Sequence, residues 1–263
     1  MNQTQTSNGE TRPSPERSFN LDGREIAWRP GDTILQAARR AGVYIPSLCA
    51  HPELKPHGSC KLCTVSIGGR LTASCTMPAT DGLEVTSRSN ELTKLRRQLL
   101  ELLFVEGNHF CPSCEKSGGC ELQALAYEHQ MLSGRHAHFY PQRRVDASHP
   151  ELLLDFNRCI YCELCVRASR EKDGKDVFAI SGRGREKILA VNSPSGLLKD
   201  SDIDKRDLAA NICPVGVILH KRQGFATPIG ERVFDQITPK SRVEAPGEMA
   251  RPTSRIPATE HRE

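Results

Sequence analysis

The sequence predicts an α+β protein made of three small units in tandem, and three observations carry that expectation. Turn signals and short apolar runs alternate from Ser18 to about residue 90, an amphipathic helical repeat follows, and eleven cysteines among 263 residues fall into three groups. Eleven is too few for a small disulfide scaffold and too many, too tightly grouped, for incidental buried thiols. Grouped thiols point to metal.

Residues 1–17 are polar and contain no apolar h-region, so they read as a disordered tail rather than a signal peptide. No stretch approaches the roughly 18 apolar residues of a membrane span. The chain is therefore expected in the cytoplasm, where thiols persist as thiols or metal ligands. The net charge of +4 is small and mixed in sign, which gives no case for nucleic acid.

Residues 18–90 form the first expected unit. Asp22-Gly23 lies between SFNL and REIAW as a hairpin turn, because a two-residue turn needs positive φ. Thr33 to Gln36 matches a capping box, and Gly42 offers the stop of the helix it opens. Gly68-Gly69 marks a second hairpin, and a short strand is expected near Leu83 to Thr86. Hairpin, helix, hairpin and strand in this order suit a β-grasp domain. Residues 91–144 open with a helix from Glu91 to Val105, on which Leu92, Leu95, Leu99, Leu102 and Leu103 recur at helical spacing. Residues 145–222 mix short strands and helices, and residues 223–263 form an extension expected to be disordered after about residue 239.

The first cysteine group is Cys49, Cys60, Cys63 and Cys75, with ten, two and eleven residues in the gaps. Four thiolates on loops at one edge of a small sheet suit a [2Fe-2S] cluster, whose irons take two sulfur ligands each. The spacing departs from the plant ferredoxin pattern. Cys49-Ala50-His51 resembles half of a Rieske site, but the other half would need His where Cys63 stands. A four-cysteine zinc site usually draws on two close pairs, and Cys49 and Cys75 have no close partner.

The third group is Cys159, Cys162 and Cys165, joined by Cys213-Pro214 after forty-seven intervening residues. Three thiolates spaced by two residues wrap three corners of a cubane, and a distant Cys-Pro supplies the fourth, as in bacterial ferredoxins. A two-cluster ferredoxin would carry Cys-Pro at Ser169-Arg170 and cysteines at Ile203, Arg206 and Ala209. Its second cluster is expected to be absent.

The middle group, Cys111, Cys114 and Cys120, lacks a fourth thiol. His109 stands two residues before Cys111, and imidazole can replace thiolate on iron. Water, a carboxylate such as Glu106, or a three-iron cluster are the alternatives. His129, His149, His220 and His261 read as surface or satisfied core residues.

With those residues in view, the chain from about Ser18 to Gln236 resembles the small diaphorase subunit of NAD-reducing nickel-iron hydrogenases. That subunit is itself similar to the N-terminal iron-sulfur region of the large peripheral subunit of respiratory complex I. GNHFCPSCEKSGGCELQALAYE, RCIYCELCVR and ICPVGVILHKRQGFATPIGERVF carry the likeness. The resemblance implies a [2Fe-2S] cluster on Cys49, Cys60, Cys63 and Cys75. It also implies a small helical [4Fe-4S] unit with one His and three Cys ligands, His109, Cys111, Cys114 and Cys120. An all-cysteine [4Fe-4S] cluster on Cys159, Cys162, Cys165 and Cys213 follows. One departure is that the relatives typically place three residues between the histidine and the first cysteine, where this chain has one.

No G-x-G-x-x-G follows a strand, no Walker A loop is present, and no catalytic triad stands apart from the cysteine groups. The chain is expected to have no substrate site and to pass electrons between partner chains. The resemblance implies a flavin-bearing diaphorase subunit and nickel-iron hydrogenase subunits as those partners. An equivalent role in an NAD-linked formate dehydrogenase or an NADH dehydrogenase is the nearest alternative, and a structural zinc protein the distant one.

Overall fold

The computed structural model describes residues 17–131 and 134–244. Residues 1–16 and 245–263, which hold most of both expected tails, lie outside them.

Two hairpins and one helix build the first unit. Strands β1 (Ser18–Leu21) and β2 (Arg24–Ala27) meet at Asp22 (φ 53) and Gly23 (φ 83), the left-handed pair that a tight hairpin turn needs. Asn20 Oδ1 accepts the Gly23 N–H at 2.8 Å and closes the turn. Helix α1 (Ile34–Arg40) begins at the expected capping box: Gln36 N–H donates to Thr33 Oγ1 at 3.3 Å and Thr33 N–H to Gln36 Oε1 at 2.9 Å. Strands β3 (Thr64–Ile67), β4 (Arg70–Ala73) and β5 (Glu84–Thr86) complete a sheet ordered β2-β1-β5-β3-β4. β5 runs parallel to β1 and antiparallel to β3, which is the mixed sheet of a β-grasp unit. Phe19, Leu21, Ile26, Ile34, Leu35, Val65 and Val85 fill its core, and Cys63 and Cys75 belong to the same core.

Helix α2 (Asn90–Val105) starts at Ser89, whose Oγ accepts the Leu92 N–H at 3.1 Å. The leucine spacing predicts burial of Leu92, Leu95, Leu99, Leu102 and Leu103. The helix buries Leu92, packs Leu99 and Leu103 against the large core and leaves Leu102 45% exposed, and it also buries Arg96, Leu100, Glu101 and Val105. Polar partners explain the difference. Arg96 donates to the carbonyls of Leu62 (3.1 Å), Thr64 (2.9 Å) and Ser87 (2.9 Å), where the β-grasp loops end against the helix. Glu101 accepts the backbone N–H groups of Arg135 and of His136, the latter at 3.0 Å.

Helix α3 (Glu121–Glu128) packs on α2. Beyond it, β6 (Val145–Asp146), β7 (Leu152–Asp155) and β10 (Ile218–His220) form an antiparallel sheet ordered β10-β7-β6. A hairpin of β8 (Phe178–Ser181) and β9 (Ile188–Val191) and helices α4 (Leu164–Ala168) and α5 (Leu208–Asn211) complete this part. A second core runs continuously from Leu48 and Cys49 through Leu100, Leu122 and Leu125 to Phe178, Val191 and Ile218. It holds members of all three cysteine groups.

After α6 (Val233–Gln236), α7 (Pro239–Glu244) corrects the expectation of disorder after about residue 239. Pro239 is buried and Val243 packs against the large core. Arg242 bonds Glu121 at 2.6 Å, and Arg88 bonds Glu244 at 3.1 Å. A helix of one to two turns has no stability alone, so these tertiary contacts hold it.

Candidate metal centres

All eleven cysteines carry free thiols. In the first group, Cys49 lies in the loop after α1, Cys60 and Cys63 precede β3, and Cys75 follows β4. Cys49 is hydrogen-bonded to the thiols of Cys60 and Cys75, and Cys75 to that of Cys63, so all four converge. Cys60 N–H donates to Cys49 Sγ and Leu48 N–H to Cys60 Sγ, both at 3.5 Å. Bonds from Cys60 and Cys75 hold the Cys49 thiol far below its ordinary range and push its two partners up. The Cys63 thiol is brought down to about 7, first by its bond with Cys75. Lys61, between Cys60 and Cys63, takes φ 56 and turns the chain sharply between two thiols.

The third group uses the same device twice. Tyr161 (φ 51) and Glu163 (φ 58) are left-handed, one in each gap of Cys159-x2-Cys162-x2-Cys165. Burial raises the Cys159 thiol to about 11 and lifts those of Cys162 and Cys165 well above the ordinary thiol value, and the charge of Cys213 adds to each rise. Backbone N–H groups of Tyr161, Leu164 and Val166 bond these sulfurs and oppose the rise. Thiols this dry stay protonated unless positive charge offsets the thiolate, which is what bound iron supplies. At the positions of a second ferredoxin cluster, Ile203 and Ala209 are core residues, Arg206 pairs with Asp204, and Arg170 pairs with Asp176.

In the middle group, His109, Cys111, Cys114 and Cys120 line one small cavity, together with Arg158 and Gly216. The His109 ring stands edge-on to Phe104, centroids 5.4 Å apart, and is tied to the Leu103 backbone. Its Nε2 is shut from solvent and has no hydrogen-bond partner. Burial, then the charges of Arg158 and Arg143, bring the imidazole down to about 4, so it is neutral at pH 7. A buried neutral imidazole with an unpartnered nitrogen has a lone pair to give to a metal. Gly107 makes room for the ring, since a Cβ there would stand 2.6 Å from Nε2. Glu106 is exposed and does not line the cavity. Cys120 is the N-cap residue of α3, and burial raises its thiol to about 12. Among the described residues, no three His, Cys, Asp or Glu side chains gather as one metal ion would require. A cubane distributes its ligands over four separate corners.

Two arginines that the spacing did not single out join the groups. Arg167, on α4, donates from Nη2 to the carbonyls of Cys49 (2.7 Å) and Cys162 (3.3 Å). From Nη1 it donates to Lys55 O (2.6 Å), and from Nε to Glu163 O (3.3 Å). Arg158, next to Cys159, reaches Glu115 at 2.7 Å, Asp155 at 2.8 Å and Gly216 O at 3.3 Å, beside the middle cavity. Glu121 N–H donates to Pro214 O at 2.9 Å. The third group thus touches both of the others. Only Gly216 had a visible signal, a glycine three residues after Cys213.

Four other histidines are hydrogen-bonded. His129 Nδ1 bonds Leu125 O at 3.0 Å, His149 Nδ1 accepts the N–H groups of Glu151 and Leu152, and His220 Nε2 meets Asn211 Oδ1 at 3.1 Å. His51 Nδ1 accepts the Glu53 N–H at 3.3 Å. His261 lies outside the described residues.

Family models match along the chain. Residues 15–90 match the 2Fe-2S iron-sulfur cluster binding domain. Residues 96–135 match the NADH-ubiquinone oxidoreductase-G iron-sulfur binding region, and residues 152–219 the 4Fe-4S single cluster domain. Over 216 residues the chain is 40% identical to the NAD-reducing hydrogenase HoxS subunit gamma of Cupriavidus necator, covering 82% of this chain and 92% of that protein. It is 32% identical to the NADPH-Fe(3+) oxidoreductase subunit alpha of Geobacter sulfurreducens, over 78% of this chain and 24% of that one. It is also 32% identical to the 78 kDa subunit of mitochondrial NADH-ubiquinone oxidoreductase of Candida albicans, over 80% of this chain and 29% of that subunit. Among solved structures, it superposes on a chain of an NAD+-reducing [NiFe]-hydrogenase in the H2-reduced state. The TM-score is 0.84 at 56% identity, covering 86% of this chain and 96% of that one. With a 2Fe-2S domain ahead of 4Fe-4S domains and a relative matched over nearly its whole length, the chain belongs to the iron-sulfur oxidoreductase family of the gamma subunit of NAD-reducing hydrogenases.

Proposed function

We propose that this chain is the electron-relay subunit of an NAD-reducing hydrogenase complex in the cytoplasm. It carries electrons between nickel-iron hydrogenase subunits and a flavin-bearing diaphorase subunit. The ligands in this reading are Cys49, Cys60, Cys63 and Cys75 for a [2Fe-2S] cluster; His109, Cys111, Cys114 and Cys120 for one [4Fe-4S] cluster; and Cys159, Cys162, Cys165 and Cys213 for another. The units divide at about residues 90, 144 and 222. Once bound, the clusters supply one-electron redox chemistry at fixed positions.

The observation that carries this reading is the third group's contact with both others through one core, so that the sites form a continuous series. The chain's own residues do the rest. Backbone N–H groups bond the sulfurs and favour their charged form, apolar packing excludes water, and Arg167 and Arg158 fix the spacing of the loops. The donor set of the middle cavity, three thiols and one buried imidazole without a partner, fits a cubane.

Iron content and EPR of the anaerobically purified chain test the assignment. About ten irons are expected from one two-iron and two four-iron clusters. His109→Ala should diminish the middle signal alone; undiminished iron and an unaltered signal would mean that another group closes the site. Without partners, the chain should neither oxidise NADH nor take up hydrogen, and either activity in the pure chain would overturn the relay role.

A further inference from the structure

One side chain joins two ligand loops that the sequence keeps far apart. Arg167 Nη2 is shared between the carbonyl of Cys49, in the first group, and that of Cys162, in the third. The same guanidinium holds Lys55 O and Glu163 O, so the loop after Cys49 and the turn between Cys162 and Cys165 are fixed to one rigid plane. Other contacts along this seam are single bonds: Lys55 N–H to Glu171 (3.0 Å), Lys172 to Glu53 (3.5 Å) and His57 to Glu163 (3.4 Å). None of them touches a cysteine.

We propose that Arg167 is a positioning residue for electron exchange between the first and third clusters and sets both of their potentials. This rests on the ligand assignment above. In the exchange one electron leaves one cluster as the other gains it; no bond is made or broken and no proton moves. The guanidinium supplies a bridge of two hydrogen bonds through one nitrogen, from the backbone of one ligand to that of the other. Its fixed positive charge lies beside both sites, and since reduction adds negative charge to a cluster, a cation there favours the reduced form of each. The middle cluster has Arg158 beside it instead.

The test uses the full-length, iron-loaded chain and three variants. Arg167→Met removes charge and donors but keeps the stem. Arg167→Lys keeps the charge and loses the fork. Arg170→Met removes an exposed charge from the adjoining helical turn, where it pairs with Asp176. Iron content, EPR-monitored redox titration and the rate of electron equilibration after pulsed reduction are measured for each. Arg167→Met should retain its iron and lower the potentials of the first and third clusters while the middle one stays fixed. Arg167→Lys should hold the potentials and slow the equilibration. Arg170→Met should change neither. Unmoved first and third potentials in fully loaded Arg167→Met, or an equal shift in all three clusters, would overturn the proposal. So would unslowed exchange in Arg167→Lys, or loss of iron from both Arg167 variants, which would make the role purely structural. A wild-type chain lacking the first or third signal would refute the ligand assignment instead.

Discussion

Gly216 is defined by what stands against it: a Cβ there would lie 3.0 Å from Cys114 Sγ and 3.1 Å from Arg158 Nη1. Gly216→Ala is therefore expected to displace one thiol of the middle group. Its EPR signal should weaken while the other two persist, with a cost of about 1–3 kcal/mol for overpacking. Lys61 poses the opposite problem, since its exposed side chain touches little while its backbone is left-handed. Lys61→Val should be less stable than Lys61→Gly by about 2 kcal/mol, read as a lower temperature for loss of the [2Fe-2S] absorption. The cysteines were legible in the sequence because thiol spacing is itself the signal. Lys61, Tyr161 and Glu163 were not, because none of these residue types marks positive φ as glycine does.

At the scale of elements, the hairpins and α1 were legible because Asp-Gly, Gly-Gly and a capping box are local devices. On α2 the leucine stripe was legible apart from Leu102, while buried Arg96 and Glu101 were not, because tertiary polar partners hold them. Arg96→Met should leave the carbonyls of Leu62, Thr64 and Ser87 without a donor and cost about 3 kcal/mol. Leu102→Lys, on the exposed side of the same helix, should change stability by less than about 0.5 kcal/mol in the isolated chain. Helix α7 was invisible to composition, which is that of a tail. Truncation before Pro239 removes the packing of Pro239 and Val243 and should cost about 1–3 kcal/mol, most of it from apolar burial, since the accompanying ion pairs are partly exposed.

At the scale of the whole molecule, the chain order of the cysteine groups was legible but their spatial order was not. The contacts that link the third group to each of the others, made by Arg167, Arg158 and Pro214, are long-range and leave no local pattern. Acid response also belongs to this scale. Burial holds His129 and His220 below the ordinary histidine value, so the unfolded chain binds their protons more readily than the folded one. Their contribution is present above pH about 6.5 and is lost as the pH falls from there through the lower folded-state values. His129→Gln should flatten the decline in stability as the pH falls below about 6.5, measured by denaturant unfolding at each pH.

The first cysteine group is divided between two cores. Cys49 belongs to the large one and Cys60 packs at its edge, while Cys63 and Cys75 belong to the β-grasp core. In the proposed ligand assignment, iron at this group would rivet two bodies that hydrophobic packing builds separately, which predicts an order of maturation. The two halves can form first, and insertion of the [2Fe-2S] cluster then welds the seam. Chain made under iron starvation should show fast amide exchange in residues 55–61, between Leu54 and Leu62 of the large core, with both cores protected, and cluster reconstitution should close that window in a single step.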